Sequence, residues 1–102
     1  MSNSTNIAQV ELWNGSFGEG FIRCEDYLHR IIEPFTKVAI DKVNAQPGDH
    51  ILDVGCGCGS TSISFAQSGA KVRGIDIAEK MISKAKKTSE DISNISFHTV
   101  DA

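Results

Sequence analysis

Between Phe17 and Val43 the apolar residues are Phe17, Phe21, Ile22, Tyr27, Leu28, Ile31, Ile32, Phe35, Val38, Ala39, Ile40 and Val43. Steps of three and four dominate, which is the period of a helix. Pro34 has no N–H to give and fits the first turn of a helix, so it predicts a new helix beginning near Glu33 and Pro34. Pro47-Gly48 predicts its end. The residues ahead of this region, 1–12, are polar and then mildly apolar, and read as a loose arm.

Past Gly48 the texture changes. His50-Ile51-Leu52-Asp53-Val54 is short and aliphatic between glycines, as a buried strand is. Gly55 to Gly59 is a tight turn. Ser60 to Gln67 reads as a helix that Ser60 or Thr61 can cap and Gly69 can end. Lys71 to Ile75 is a second strand and Ala78 to about Glu90 a second helix, with Met81, Ile82 and Ala85 inward and its lysines toward water. Ile95 to Val100 alternates and reads as a third strand. This β-α-β-α-β order with short connections predicts a parallel sheet with right-handed crossovers. The expected organisation is one α/β domain: an arm (1–12), a helical segment (13–47) and a sheet portion (48–102).

Composition narrows the function. With 102 residues, 40% hydrophobic and 23% charged, the chain has enough aliphatic content for one small core. Its 10 basic and 13 acidic residues give a net charge of −3, the wrong sign for a protein whose affinity comes from phosphate backbones, so no nucleic-acid partner is expected. No apolar run approaches the ~18 residues of a membrane span, and residues 1–6 carry no basic region leading into an apolar one, as a secretory signal would. Three cysteines, an odd number, then suit free thiols in the reducing cytoplasm.

The chemistry sits in Asp53-Val54-Gly55-Cys56-Gly57-Cys58-Gly59, which leaves a strand and enters a helix. Glycines permit the turn and let a ligand approach bare backbone, and the helix start points free N–H groups over it. This is the first loop of a Rossmann-like site. Asp76 ends the second strand 76 − 55 = 21 residues after Gly55, near the ~20 expected of a carboxylate that takes two ribose hydroxyls. The dinucleotide fingerprint G-x-G-x-x-G matches at Gly55 and Gly57, but Ser60 stands at its third glycine. Asp53 is a poor neighbour for a pyrophosphate. It suits S-adenosylmethionine (SAM), which has no phosphate and carries an ammonium, a sulfonium and a carboxylate. Asp53 can favour the ammonium, directly or through water, while the helix start and glycine N–H groups favour the carboxylate.

These residues, with Gly74-Ile75-Asp76-Ile77-Ala78-Glu79-Lys80-Met81 and Ala85, resemble the Rossmann-like (class I) SAM-dependent methyltransferases over roughly residues 13–102. The resemblance implies a cofactor site made of the first-motif residues Asp53, Gly55, Cys56, Gly57 and Gly59, of Asp76 for the ribose, of Ile77 beside adenine, and of Asp101 and Ala102 at the adenine edge. Trp13-Asn14-Gly15 resembles a segment that covers the cofactor in some small-molecule members. The implied activity is methyl transfer to a small-molecule acceptor. No residue stands out as a catalytic base. The family continues for four more strands, and its first strand pairs with the fourth. The chain therefore reads as the cofactor-binding first part of such a domain, with strand 50–54 as an apolar edge that invites a second copy or another chain.

Two other readings stay open: an NAD(P)-binding half-domain of an oxidoreductase, and an assembly module with an inherited nucleotide loop. Blander roles stand beside the sharp ones. Cys56 and Cys58 are small fillers between turn glycines rather than metal ligands, and no metal site is expected. Cys24 is a buried helix residue, Asp53 also suits a strand-end cap, Asp76 a helix cap, and Trp13 a packing position. His29, His50 and His98 are scattered and receive no catalytic role.

Overall fold

The computed structural model describes residues 6–102. Three helices, α1 (Ile7–Asn14), α2 (Ser16–Arg23) and α3 (Glu25–Val43), precede β1 (His50–Val54), α4 (Ser60–Gln67), β2 (Lys71–Asp76), α5 (Glu79–Thr88) and β3 (Ile95–Thr99). The strands form one parallel sheet in the order β1-β2-β3. Asp53 lies opposite Gly74, and Gly74 opposite Phe97. The β-α-β-α-β order and the element boundaries agree with the aliphatic pattern to within two residues.

Both crossovers run the same way across the sheet, so right-handedness places α4 and α5 on one face. Burial alternates accordingly. Val72, Gly74 and Phe97 point under the helices and are buried, whereas Leu52, Val54, Lys71, Arg73, Ser96 and His98 on the opposite face are exposed. The core is two linked clusters. Phe65, Ala66, Ala70 and Val72 pack with Ile40 and Ile51. Ile82, Ala85 and Phe97 pack with Cys56 and Ile63. Asn94, just before β3, donates its amide to the carbonyls of Ala66 in α4 and Ala70 beyond it at 2.7 Å each.

The N-terminal third corrects several expectations. The expected arm is helical from Ile7; residues 1–5 of it lie outside the described part. The helical region from Phe17, expected to divide at Pro34, divides instead at Cys24 into α2 and α3. No helix starts at Pro34, which lies inside the continuous α3. A mid-helix proline forfeits one hydrogen bond and crowds the preceding turn. Here α3 is largely exposed, so water can solvate the freed carbonyl, while packing at Ile40 holds the C-terminal half in line. The helix ends before Pro47, at Asn44, whose left-handed backbone (φ 48°) lets its N–H bond the carbonyl of Ile40 at 2.9 Å. Cys24, expected to be buried, is exposed at the junction of α2 and α3. The lysines of α5 are not all free in water: Lys80 pairs with Glu19 on α2, and the half-buried Lys84 pairs with Glu25 on α3. Hydrogen bonding to Glu25 raises the Lys84 pKa, and hydrogen bonding to Lys80 lowers that of Glu19.

Candidate functional site

The carboxyl ends of the three strands and the roof made by α1 and α2 border an open-sided cavity of about 430 Å³. Parallel sheets bind ligands at this end, where the loops leave the strands and helix N-termini point inward. The turn after β1 is built on Gly55, Gly57 and Gly59, all with positive φ (73°, 56° and 87°). Gly59 also sits under Phe97, whose ring would lie 2.6 Å from an added Cβ. It is Gly59, rather than Ser60 or Thr61, that occupies the cap position of α4, and no side chain bonds the first-turn N–H groups there.

Asp76 joins the two sides of the cavity. One carboxylate oxygen accepts the N–H of Gly57 at 2.8 Å, and the other accepts the N–H of Ala78 at 2.9 Å. Each oxygen has a second lone pair free for a further donor. Asp76 therefore fixes the glycine turn to the β2–α5 loop and keeps lone pairs toward the cavity; it is not the cap of α5, whose cap residue is Ala78.

Six of the nine residues singled out from sequence line this cavity: Gly55, Gly57, Asp76, Ile77, Asp101 and Ala102. Asp53, Cys56 and Gly59 do not. The Asp53 carboxylate is turned beneath the loop, where the wholly buried Ser62 hydroxyl of α4 donates to it at 2.6 Å. That bond directs Asp53 toward the helix layer, away from a ligand. The Cys56 side chain packs in the second core cluster against Phe97, Ala85 and Ile82. Burial, and then the charges of Asp53 and Asp76, push its thiol up to about 12; burial also raises the Cys58 thiol. At pH 8 a thiol of that pKa is ionised to only about one part in ten thousand. Iodoacetamide at pH 8 should therefore label the exposed Cys24 first and leave Cys56 unmodified in the folded protein, as read by peptide mass spectrometry. Equal labelling of the two would contradict the packing described. Among the described residues, no group of three His, Cys, Asp or Glu side chains is placed to hold a metal ion.

Sequence reasoning left several lining residues without a role: Asn6, Gln9 and Phe21 on the roof, Val54, Ile75 and Val100 at strand ends, and Met81 on α5. Val54 and Val100 carried a usable signal, since residues at the carboxyl ends of parallel strands border such cavities. Trp13 both packs and lines the cavity. It meets Phe17 and Phe21 edge-on, with ring centroids 4.9 and 5.2 Å away. The tight α1–α2 corner depends on Gly18, where an added Cβ would lie 1.8 Å from the carbonyl oxygen of Trp13. Asn6 reaches across to donate to the carboxylate of Asp101.

A glycine turn after the first strand, an acid ending the second and a helix N-terminus between them define a Rossmann-like nucleotide site. Residues 45–102 match the family described as "Methyltransferase domain", so this chain belongs to that family. Among its relatives, magnesium-protoporphyrin O-methyltransferase of Synechocystis is 33% identical over 94 residues, covering 85% of this chain and 40% of that one. The 23S rRNA (uracil(1939)-C(5))-methyltransferase RlmD of Shewanella sediminis is 34% identical over 73 residues, covering 70% of this chain and 16% of that one. The chain thus spans less than half the length of these two relatives. The crystal structure of the Synechocystis magnesium protoporphyrin IX methyltransferase ChlM, with bound SAM, superposes with a TM-score of 0.76 at 26% identity. That superposition covers 98% of this chain and 56% of ChlM, and so takes in the N-terminal helices as well as the sheet.

Proposed function

We propose that this chain is the cofactor-binding part of a SAM-dependent methyltransferase acting on a small-molecule acceptor. The observation that carries the reading is Asp76: a carboxylate fixed by two backbone N–H groups at the cavity wall, with lone pairs left over for a ribose. The rest of the lining suits the same ligand. Gly55 has positive φ and no atom within 4 Å of where a Cβ would stand, so a ligand can lie against its backbone. Gly57, which also lines the cavity with positive φ, leaves its backbone open to a ligand carboxylate in the same way. Ile77 and Val100 give apolar walls for a purine, and Asp101 an acceptor for its amino group.

Bound SAM supplies a methyl group already activated by its sulfonium. The chain's own part is then binding and alignment: Asp76 sets the ribose, the glycine turn sets the amino-acid end, and the aromatic roof keeps water from one side. Asp53 acts one layer back, holding Ser62 and hence α4 in register with the turn. A small acceptor is favoured over RNA by the roof, which covers one side of the cavity, and by the net charge of −3. The three free thiols suit a cytoplasmic protein. The unpaired edge of β1, with Leu52 and Val54 exposed beside it, is completed by a further strand, either from more of the same polypeptide or from a second copy.

The test is isothermal titration of the protein with S-adenosylhomocysteine, with NADH as control and sedimentation equilibrium alongside. S-adenosylhomocysteine should bind and NADH should not. Binding of NADH alone would make the site a dinucleotide one. Binding of neither by a folded protein would leave the edge strand's assembly role as its function. A monomer at micromolar concentration would exclude the second copy.

A further inference from the structure

We propose that Asn14 is a positioning residue: it latches the α1–α2 roof to the β2–α5 loop and so couples roof closure to occupancy of the cavity. The inference rests on the cofactor reading above for the identity of the occupant.

Asn14 is the last residue of α1 and does not itself line the cavity. Its amide makes three hydrogen bonds. The side-chain oxygen accepts the N–H of Glu79 at 2.7 Å, and the side-chain nitrogen donates to the carbonyl of Ile77 at 2.8 Å and to that of Val10 at 2.8 Å. Glu79 opens α5, and its cap residue Ala78 has no side chain able to satisfy the helix start. The missing cap is thus delivered from 65 residues away in sequence by the roof itself. The bond to Ile77 grips a residue of the cavity wall, next to Asp76. Trp13, adjacent in sequence, faces the cavity. One amide therefore joins the roof, the adenine-side wall and the helix that follows. The Lys80–Glu19 and Lys84–Glu25 pairs also hold α2 and α3 against α5, but they sit near the surface, where salt screens them. Asn14 supplies the directional contact, part-buried at Ile77 and exposed at Glu79. A ligand that orders the β2–α5 loop tightens the roof through it, and by linkage a tightened roof raises affinity for that ligand.

The experiment compares Asn14→Asp and Asn14→Ala with the parent protein, using Trp13, the only tryptophan of the chain, as reporter. An aspartate keeps the acceptor for Glu79 and places negative charge at a helix N-terminus, so α5 stays capped. It cannot donate to Ile77. Asn14→Asp turns an acceptor-only oxygen toward the carbonyls of Ile77 and Val10, so it should lower the melting temperature by a few degrees while α5 stays capped, raise acrylamide quenching of Trp13 about twofold, and weaken S-adenosylhomocysteine binding about tenfold. Asn14→Ala should show the same losses with a lower melting temperature. In the parent, S-adenosylhomocysteine should shield Trp13 from acrylamide. Parent-like quenching and affinity in Asn14→Asp would overturn the latch and leave Asn14 a helix cap only. A parent that binds no S-adenosylhomocysteine would refute the cofactor reading. Quenching of the unliganded proteins would then still decide the latch: higher in Asn14→Asp supports it, and unchanged overturns it.

Discussion

Replacing Gly59 with alanine should destabilise the protein by about 2–5 kcal/mol, whereas the same change at Gly57 should cost only about 1–2 kcal/mol. Both glycines have left-handed backbone, φ 87° at Gly59 and 56° at Gly57, so both changes carry the penalty of an L side chain in that region. They differ in the space available. A Cβ at Gly59 would lie 2.6 Å from Cζ of Phe97 and 3.1 Å from Cβ of Ala85, while at Gly57 the nearest atom is Sδ of Met81 at 3.8 Å. Phe97 is 3% exposed and wedged between α5 and the sheet, and Gly74, its partner across the β2–β3 ladder, gives it room in the same way. The ring cannot retreat without opening the second core cluster. In a domain of this size the Gly59 change corresponds to a fall in melting temperature on the order of 20 °C. Paired with Phe97→Leu, Gly59→Ala should cost less than the sum of the two single changes, because the shorter side chain clears the clash. Equal destabilisation at Gly57 and Gly59 in urea melts would mean that backbone strain alone sets the cost.

Asp76→Ala should reduce affinity for S-adenosylhomocysteine by about 100-fold or more. Hydrogen bonds to a charged group contribute about 1.5–3 kcal/mol each, and a ribose offers two hydroxyls. The alanine also strands the N–H groups of Gly57 and Ala78, so some stability goes with the affinity. Asp76→Asn should rescue little. Its oxygen can serve one of the two backbone donors, but its NH₂ group then faces the other. Titration calorimetry and thermal melts on the three proteins separate the effects. Affinity within about threefold of the parent in a less stable Asp76→Ala would mean that the carboxylate serves the turn and not the ligand.

Much of the sheet region was legible because its signals are local. Glycines at fixed offsets, a five-residue aliphatic run and the acid at Asp76 announce a strand, a turn and a second strand without reference to distant parts of the chain. The N-terminal helices were harder. Their order comes from contacts with α5, which no periodicity reports: Asn14 at Glu79, Glu19 at Lys80, Glu25 at Lys84. Pro34 misled because a proline rule that ignores tertiary support predicts a boundary, and an exposed helix anchored at Ile40 tolerates the defect. Asp53 illustrates a different limit. Its place in the motif is plain from sequence, but the direction of its carboxylate depends on Ser62, a wholly buried hydroxyl on the inner face of α4. The pairing of strand-end acid and helix serine becomes visible only once β1 and α4 are packed together.

The long-range cap at Glu79 also bears on the order in which the molecule assembles. A growing chain exposes α1 and α2 well before α5, since 65 residues separate Asn14 from the amide it receives. Until α5 has formed and packed on β3, the roof has nothing to close upon, and the exposed rings of Phe17 and Phe21 remain without their final support. Closing that long loop is an entropic cost met only after the local β-α-β units have formed. Within these residues the roof therefore docks after the β-α-β units, although it precedes them in sequence, and the cavity is covered only late in folding.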